Sequence, residues 1–70
     1  MDSYPLYDSR GMEVGGKPSE SAAEALRLAE ALTADSHFKH LAPFTCHRRT
    51  EEPMFRVKRD GGYESLNYKV

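Results

Sequence analysis

An α+β fold, with a single amphipathic helix packed on an antiparallel three-stranded meander, is what this 70-residue chain predicts. Three observations carry that expectation. Residues 22–32 are built almost wholly from strong helix formers, with apolar side chains at helical spacing. Residues 44–70 instead alternate apolar and polar side chains, and glycine and proline punctuate them as they do strands. Charge divides along the same line. Residues 1–36 hold three basic and seven acidic side chains, net −4, and residues 37–70 hold seven and four, net +3. An asymmetry of this kind bears on partners and association rates, not on fold.

In chain order, residues 1–18 read as a short extra hairpin or an extended arm. Tyr4-Pro5-Leu6-Tyr7 and Met12-Glu13-Val14 flank Asp8-Ser9-Arg10-Gly11, which has turn chemistry, with Asp first and Gly last. Pro5 lacks a ladder donor and places such a strand at a sheet edge. Gly15-Gly16-Lys17-Pro18 then breaks the pattern. The compact α+β domain is expected over 19–70, with its helix over about 19–34. Ser19 or Ser21 can cap it, and Ser21 with Glu24 makes a capping box. Ala22, Ala25, Leu26, Ala29 and Leu32, with Leu28 at the margin, form the apolar stripe. The alanines let a helix lie close on a sheet. Glu20, Glu24, Arg27 and Glu30 form the wet stripe, which reads as an ordinary solvated face.

Thr33 to Ser36 end the helix, and residues 37–43 connect, with Phe38 and Leu41 as anchors beneath it. Strands are expected over about 44–49, 54–59 and 63–70, the last two joined at Asp60-Gly61-Gly62. Thr50-Glu51-Glu52-Pro53 closes the first. Alternation places Phe44, Cys46, Phe55, Val57, Leu66, Tyr68 and Val70 beneath the helix. The other face then collects Thr45, His47, Arg49, Arg56, Lys58, Tyr63, Asn67 and Lys69.

His47, Arg49, Arg56, Lys58, Tyr63 and Lys69 are therefore the candidate binding residues. Arg offers a planar fork to phosphate or carboxylate, Lys a point charge, and Tyr63 a ring for stacking. Charged side chains on a wet strand face also guard against edge-to-edge association, and Glu51, Glu52, Asp60 and Glu64 dilute the positive field.

Other chemistries have less to stand on. The spacing of His37, His40, Cys46 and His47 matches no zinc pattern, and Cys46 alternates onto the core face while His47 points away. Cys46 reads as a buried free thiol, since apolar burial raises a thiol's pKa and suppresses its nucleophilicity. No cofactor or metal is expected.

A single cysteine cannot form an internal disulfide, so a modest core must suffice unless a homodimer or a partner adds to it. No apolar run approaches the length of a membrane span, and Met1-Asp2-Ser3-Tyr4 lacks the character of a signal peptide. A cytoplasmic protein is expected, from a complete small reading frame, with no membrane role.

The leading expectation is a non-enzymatic binding protein whose basic sheet face engages nucleic acid or an acidic protein surface. One alternative is a phage-type inhibitor of a host nucleic-acid-processing or defence complex, an anti-CRISPR-like protein or a polymerase inhibitor. Another is a small ribonuclease with His47 or His40 as general base and Arg49 and Lys58 stabilising charge at the phosphate.

Overall fold

The chain runs β1 (Tyr4–Tyr7), β2 (Glu13–Ser19), α1 (Ala22–Ala34), a 3-10 turn (Lys39–Leu41), β3 (Phe44–Arg48), β4 (Glu52–Val57) and β5 (Tyr63–Ser65). The computed structural model describes residues 3–49 and 52–66. All five strands form one antiparallel sheet in the order β2-β1-β3-β4-β5. The class is the expected α+β one, and β3, β4 and β5 are the meander. The N-terminal hairpin does not stand apart, however. β1 pairs with β3 through Leu6 opposite Cys46 and Tyr7 opposite Thr45, which widens the sheet to five strands. Since β2 and β3 both oppose β1, they run parallel to each other, and α1 is the crossover such a connection requires.

This topology corrects the edge position expected of Pro5, because β1 lies inside the sheet. Proline is tolerated there because the ladder is interrupted beside it. Tyr4 opposes Ser19 and Leu6 opposes Val14, so residues 15–18 of β2 bulge against Pro5. Gly15-Gly16-Lys17-Pro18 does not end the strand pattern either, since β2 runs through it as a bulged edge. Gly15 has φ +88, and a Cβ there would meet Leu28 Cδ2 at 2.8 Å, so the helix descends on the edge strand where glycine permits it.

Helix α1 begins three residues later than expected because Ser19 belongs to β2. Ser21 caps it, its Oγ accepting from the Glu24 amide at 3.1 Å. Ala25, Ala29 and Thr33, four residues apart, are its buried residues. The helix axis can therefore lie close to Leu6, Phe44, Cys46, Phe55 and Val57, which with Ala42 complete the core. Leu26, Leu28 and Leu32 pack around its margins. Thr33 remains helical, and its hydroxyl donates to the Ala29 carbonyl at 2.7 Å, which removes the cost of burying it. Of the two anchors expected, Leu41 packs against the core, with Ala42 beside it, whereas Phe38 is 42% exposed.

Two hairpins share one loop design. The Gly11 amide donates to Asp8 O at 3.0 Å and the Asp8 amide to Met12 O at 2.9 Å. Likewise the Gly61 amide donates to Lys58 O and the Lys58 amide to Gly62 O, both at 2.8 Å. Gly11 (φ +82) and Gly61 (φ +91) take the left-handed position that closes such a three-residue loop. Lys58 and Arg59 thus belong to the turn and not to the second meander strand. At the other end, Glu52 and Pro53 join β4 instead of the preceding loop. Asn67, Tyr68, Lys69 and Val70 lie outside the described residues. No helix among the described residues is long and apolar enough to cross a membrane.

Candidate functional site

Helix α1 covers one face of the sheet, and among the described residues no element covers the other. Cross-strand partners share a face, so the register defines what the open side presents. One rung crosses all five strands: Glu13 opposes Tyr7, Tyr7 opposes Thr45, Thr45 opposes Arg56, and Arg56 opposes Glu64. Next to it a register shift after Cys46 brings His47 opposite Pro53. The extra residue in β4 interrupts the ladder there, and both His47 and Pro53 line a hollow in this face. Tyr7, Thr45, His47 and Arg56 line a solvent-open concavity of about 790 Å³, walled by the Asp8–Gly11 turn, Pro43, Pro53 and Leu66.

Within it the Tyr7 and His47 rings meet edge to face, centroids 4.9 Å apart and planes at 72°. Arg56 Nη1 lies 3.3 Å from Glu64 Oε1. Among the described residues, two buried side-chain nitrogens have no hydrogen-bond partner: His47 Nδ1 and Arg56 Nε.

The wall is held by Asp8, whose carboxylate has no exposed side-chain surface. Its Oδ1 accepts from the Arg10 amide at 2.8 Å and the Met12 amide at 3.1 Å. Its Oδ2 accepts from Arg10 Nε at 3.2 Å and Nη2 at 2.8 Å. The bonded Arg10 guanidinium holds the carboxyl below its usual value, with the two amides, against an opposing effect of burial. Asp8 is thus a structural anion with its acceptor sites engaged.

Of the candidate residues read from sequence, the structure brings His47 and Arg56 together and separates the others. Arg49 does not continue β3. It follows the strand end with φ +61, its amide donating to Ser3 O at 2.6 Å. Lys58 closes the β4–β5 turn, where its Cε would lie 2.9 Å from a Cβ built on Gly62. Tyr63 was expected on the open face, but the hairpin places it opposite Val57, so it belongs to the helix side. There it stacks on Phe55 at 5.5 Å while remaining 58% exposed. The same register moves Leu66 to the open side, where it lines the concavity. Lys69 lies outside the described residues.

A concentrated basic face therefore does not form from the described residues. The five-strand rung carries one cation and two carboxylates, and Arg48 pairs with Glu52 at 3.9 Å. Tyr7 is the site residue that sequence reasoning missed. Its signal was present, since Leu6 alternates inward and Tyr7 must then face outward once the hairpin joins the sheet.

Cys46 lies beneath the helix, and burial pushes its thiol up to about 11, which keeps it neutral near pH 7. Its neighbour His47 faces the other side of the sheet, and among the described residues no group of three or more His, Cys, Asp or Glu could hold a metal ion. A smaller recess of about 280 Å³ lies by the end of α1, between Glu30, Thr33, Lys39, Arg59 and Asp60. Its Arg59 is engaged, Nη2 donating to the His40 and Ala42 carbonyls at 3.3 Å each.

The fold and site define a small α+β protein with a half-covered five-stranded antiparallel sheet. Comparison with known protein families, with curated proteins and with solved structures finds no match to this chain.

Proposed function

We propose that this is a non-enzymatic binding protein that presents the uncovered face of its sheet to an anionic partner. The observation that carries the reading is the pair of buried nitrogens without partners, His47 Nδ1 and Arg56 Nε, beside one concavity. Leaving a buried polar group unpaired costs about 1–3 kcal/mol, which a small domain tolerates poorly. Such a conflict between local chemistry and stability is expected where a site awaits a ligand. Arg56 Nε is an obligate donor, so its missing partner is an acceptor. The Arg56 side chain keeps 39% of its surface exposed, so its fork can turn toward a group entering the concavity.

The test is a titration of the isotope-labelled chain with inorganic polyphosphate, poly-glutamate and a short oligonucleotide, read by amide chemical shifts. The expected result is movement at Thr45, His47 and Arg56 with at least one polyanion. Movement confined to helix residues such as Arg27 and Glu30, or none at all, contradicts the reading. Incubation with RNA tests the non-enzymatic part, which breakdown abolished by His47→Ala would overturn.

A further inference from the structure

Resting on that reading, we infer that the anionic partner is single-stranded nucleic acid. One phosphate is held by Arg56 and His47, and a neighbouring base packs against Tyr7. Charge is the first argument. Glu13, Arg56 and Glu64 share the central rung, Arg56 is bonded to Glu64, and Arg10 in the neighbouring turn is engaged by Asp8. Duplex binding is dominated by many phosphate contacts, which need many cations. The two carboxylates of the rung oppose any polyanion, so affinity for a single strand has to come from its unpaired bases, which stack on side-chain rings.

Ring geometry is the second argument. Tyr7 lies on the concave surface, and the edge-to-face contact with His47 holds the two rings in a defined relation beside the guanidinium. The third is shape. Pockets for small molecules enclose most of their ligand, whereas this concavity of about 790 Å³ is open to solvent, as suits a polymer that enters and leaves. Thr45, between Tyr7 and Arg56 on the rung, adds a hydroxyl that can donate or accept.

The experiment measures fluorescence polarisation of labelled eight-nucleotide thymidine DNA and uridine RNA, a duplex of equal length, and poly-glutamate, across a salt series. Single strands are expected to bind at least about tenfold tighter than duplex. Their log-log salt slope is expected near −0.7 to −1.4, the value for about one or two phosphate contacts. Tyr7→Leu should weaken binding roughly 5- to 150-fold and leave the slope unchanged, whereas Arg56→Gln should make it shallower by about 0.7. In the unmutated chain the Tyr7 ring protons should move upfield as the strand binds, a readout independent of any variant's folding.

Equal or tighter duplex binding, a slope of about −3 or steeper, or Tyr7 ring protons that stay in place would overturn the inference. If poly-glutamate or polyphosphate shifts His47 and Arg56 while oligonucleotides do not bind, the single-strand inference fails and the anion-binding reading stands. If none of these probes binds, both fail.

Discussion

Replacing Asp8 with alanine should remove a large part of the stability of this domain. The carboxylate is buried and accepts two backbone amides, from Arg10 at 2.8 Å and Met12 at 3.1 Å, and two bonds from the Arg10 guanidinium. A hydrogen bond to a charged group contributes about 1.5–3 kcal/mol. The turn residues Ser9–Met12 are exposed, so water satisfies the freed amides in part, and about 1 kcal/mol each is the better figure. Arg10 is 59% exposed, which limits the ion pair to about 1 kcal/mol or less. The sum is about 2–3 kcal/mol, against roughly 4–10 kcal/mol for a chain of this length.

Asp8→Asn retains an acceptor for both amides and should lose about 1 kcal/mol, so the difference between the variants isolates the amide bonds. Urea unfolding followed by circular dichroism measures both. The folded-state pKa of Asp8 lies below its ordinary 3.8, so its stabilisation is complete above that value and is lost as pH falls through the lowered one. Asp8→Asn should therefore flatten the loss of stability below about pH 4. An Asp8→Ala variant within 0.5 kcal/mol of the parent, or unchanged acid dependence in Asp8→Asn, would refute the reasoning.

Three further outcomes are expected. Gly61→Ala should cost about 1–2 kcal/mol in thermal unfolding, because φ is +91 there and no neighbouring atom lies within 4 Å of the added Cβ to be displaced. Ser21→Ala should cost about 1 kcal/mol, since the Glu24 amide loses its cap, and calorimetry should show the loss without a change of fold. The Cys46 thiol, raised to about 11, should react slowly with a disulfide reagent at pH 8 and quickly once the protein is unfolded in urea.

The helix and the meander were legible because their signals are local. Ser21, the apolar stripe of α1 and the Phe55–Val57 alternation each state their structure within a few residues. What alternation cannot state is which strand lies beside which. Pro5 read as an edge residue because a strand proline forfeits a ladder donor, and that logic is sound. The bulge of β2 removes the objection by interrupting the ladder at that point, and nothing in the Pro5 neighbourhood announces a bulge ten residues further on. Phe38 illustrates another limit: a large apolar side chain next to a helix reads as core, yet it is exposed while Ala42 and Phe44 are buried.

The open face was legible in part for the same reason. His47 and Arg56 follow from alternation alone, because Cys46, Phe55 and Val57 must be buried. Tyr63 and Leu66 changed faces because the β4–β5 loop is closed by Lys58 and Gly62, and a one-residue difference in loop placement inverts every side chain beyond it. The bulge that puts His47 opposite Pro53 likewise lies at the concavity, which both residues line. It costs ladder bonds and leaves Met54 unmatched in the register. A sheet selected for stability alone would keep the regular ladder and pair every buried nitrogen. This one does neither beside Tyr7, His47 and Arg56, and that coincidence of irregular backbone and unpaired nitrogens in one place makes the open face the part of the molecule to test first.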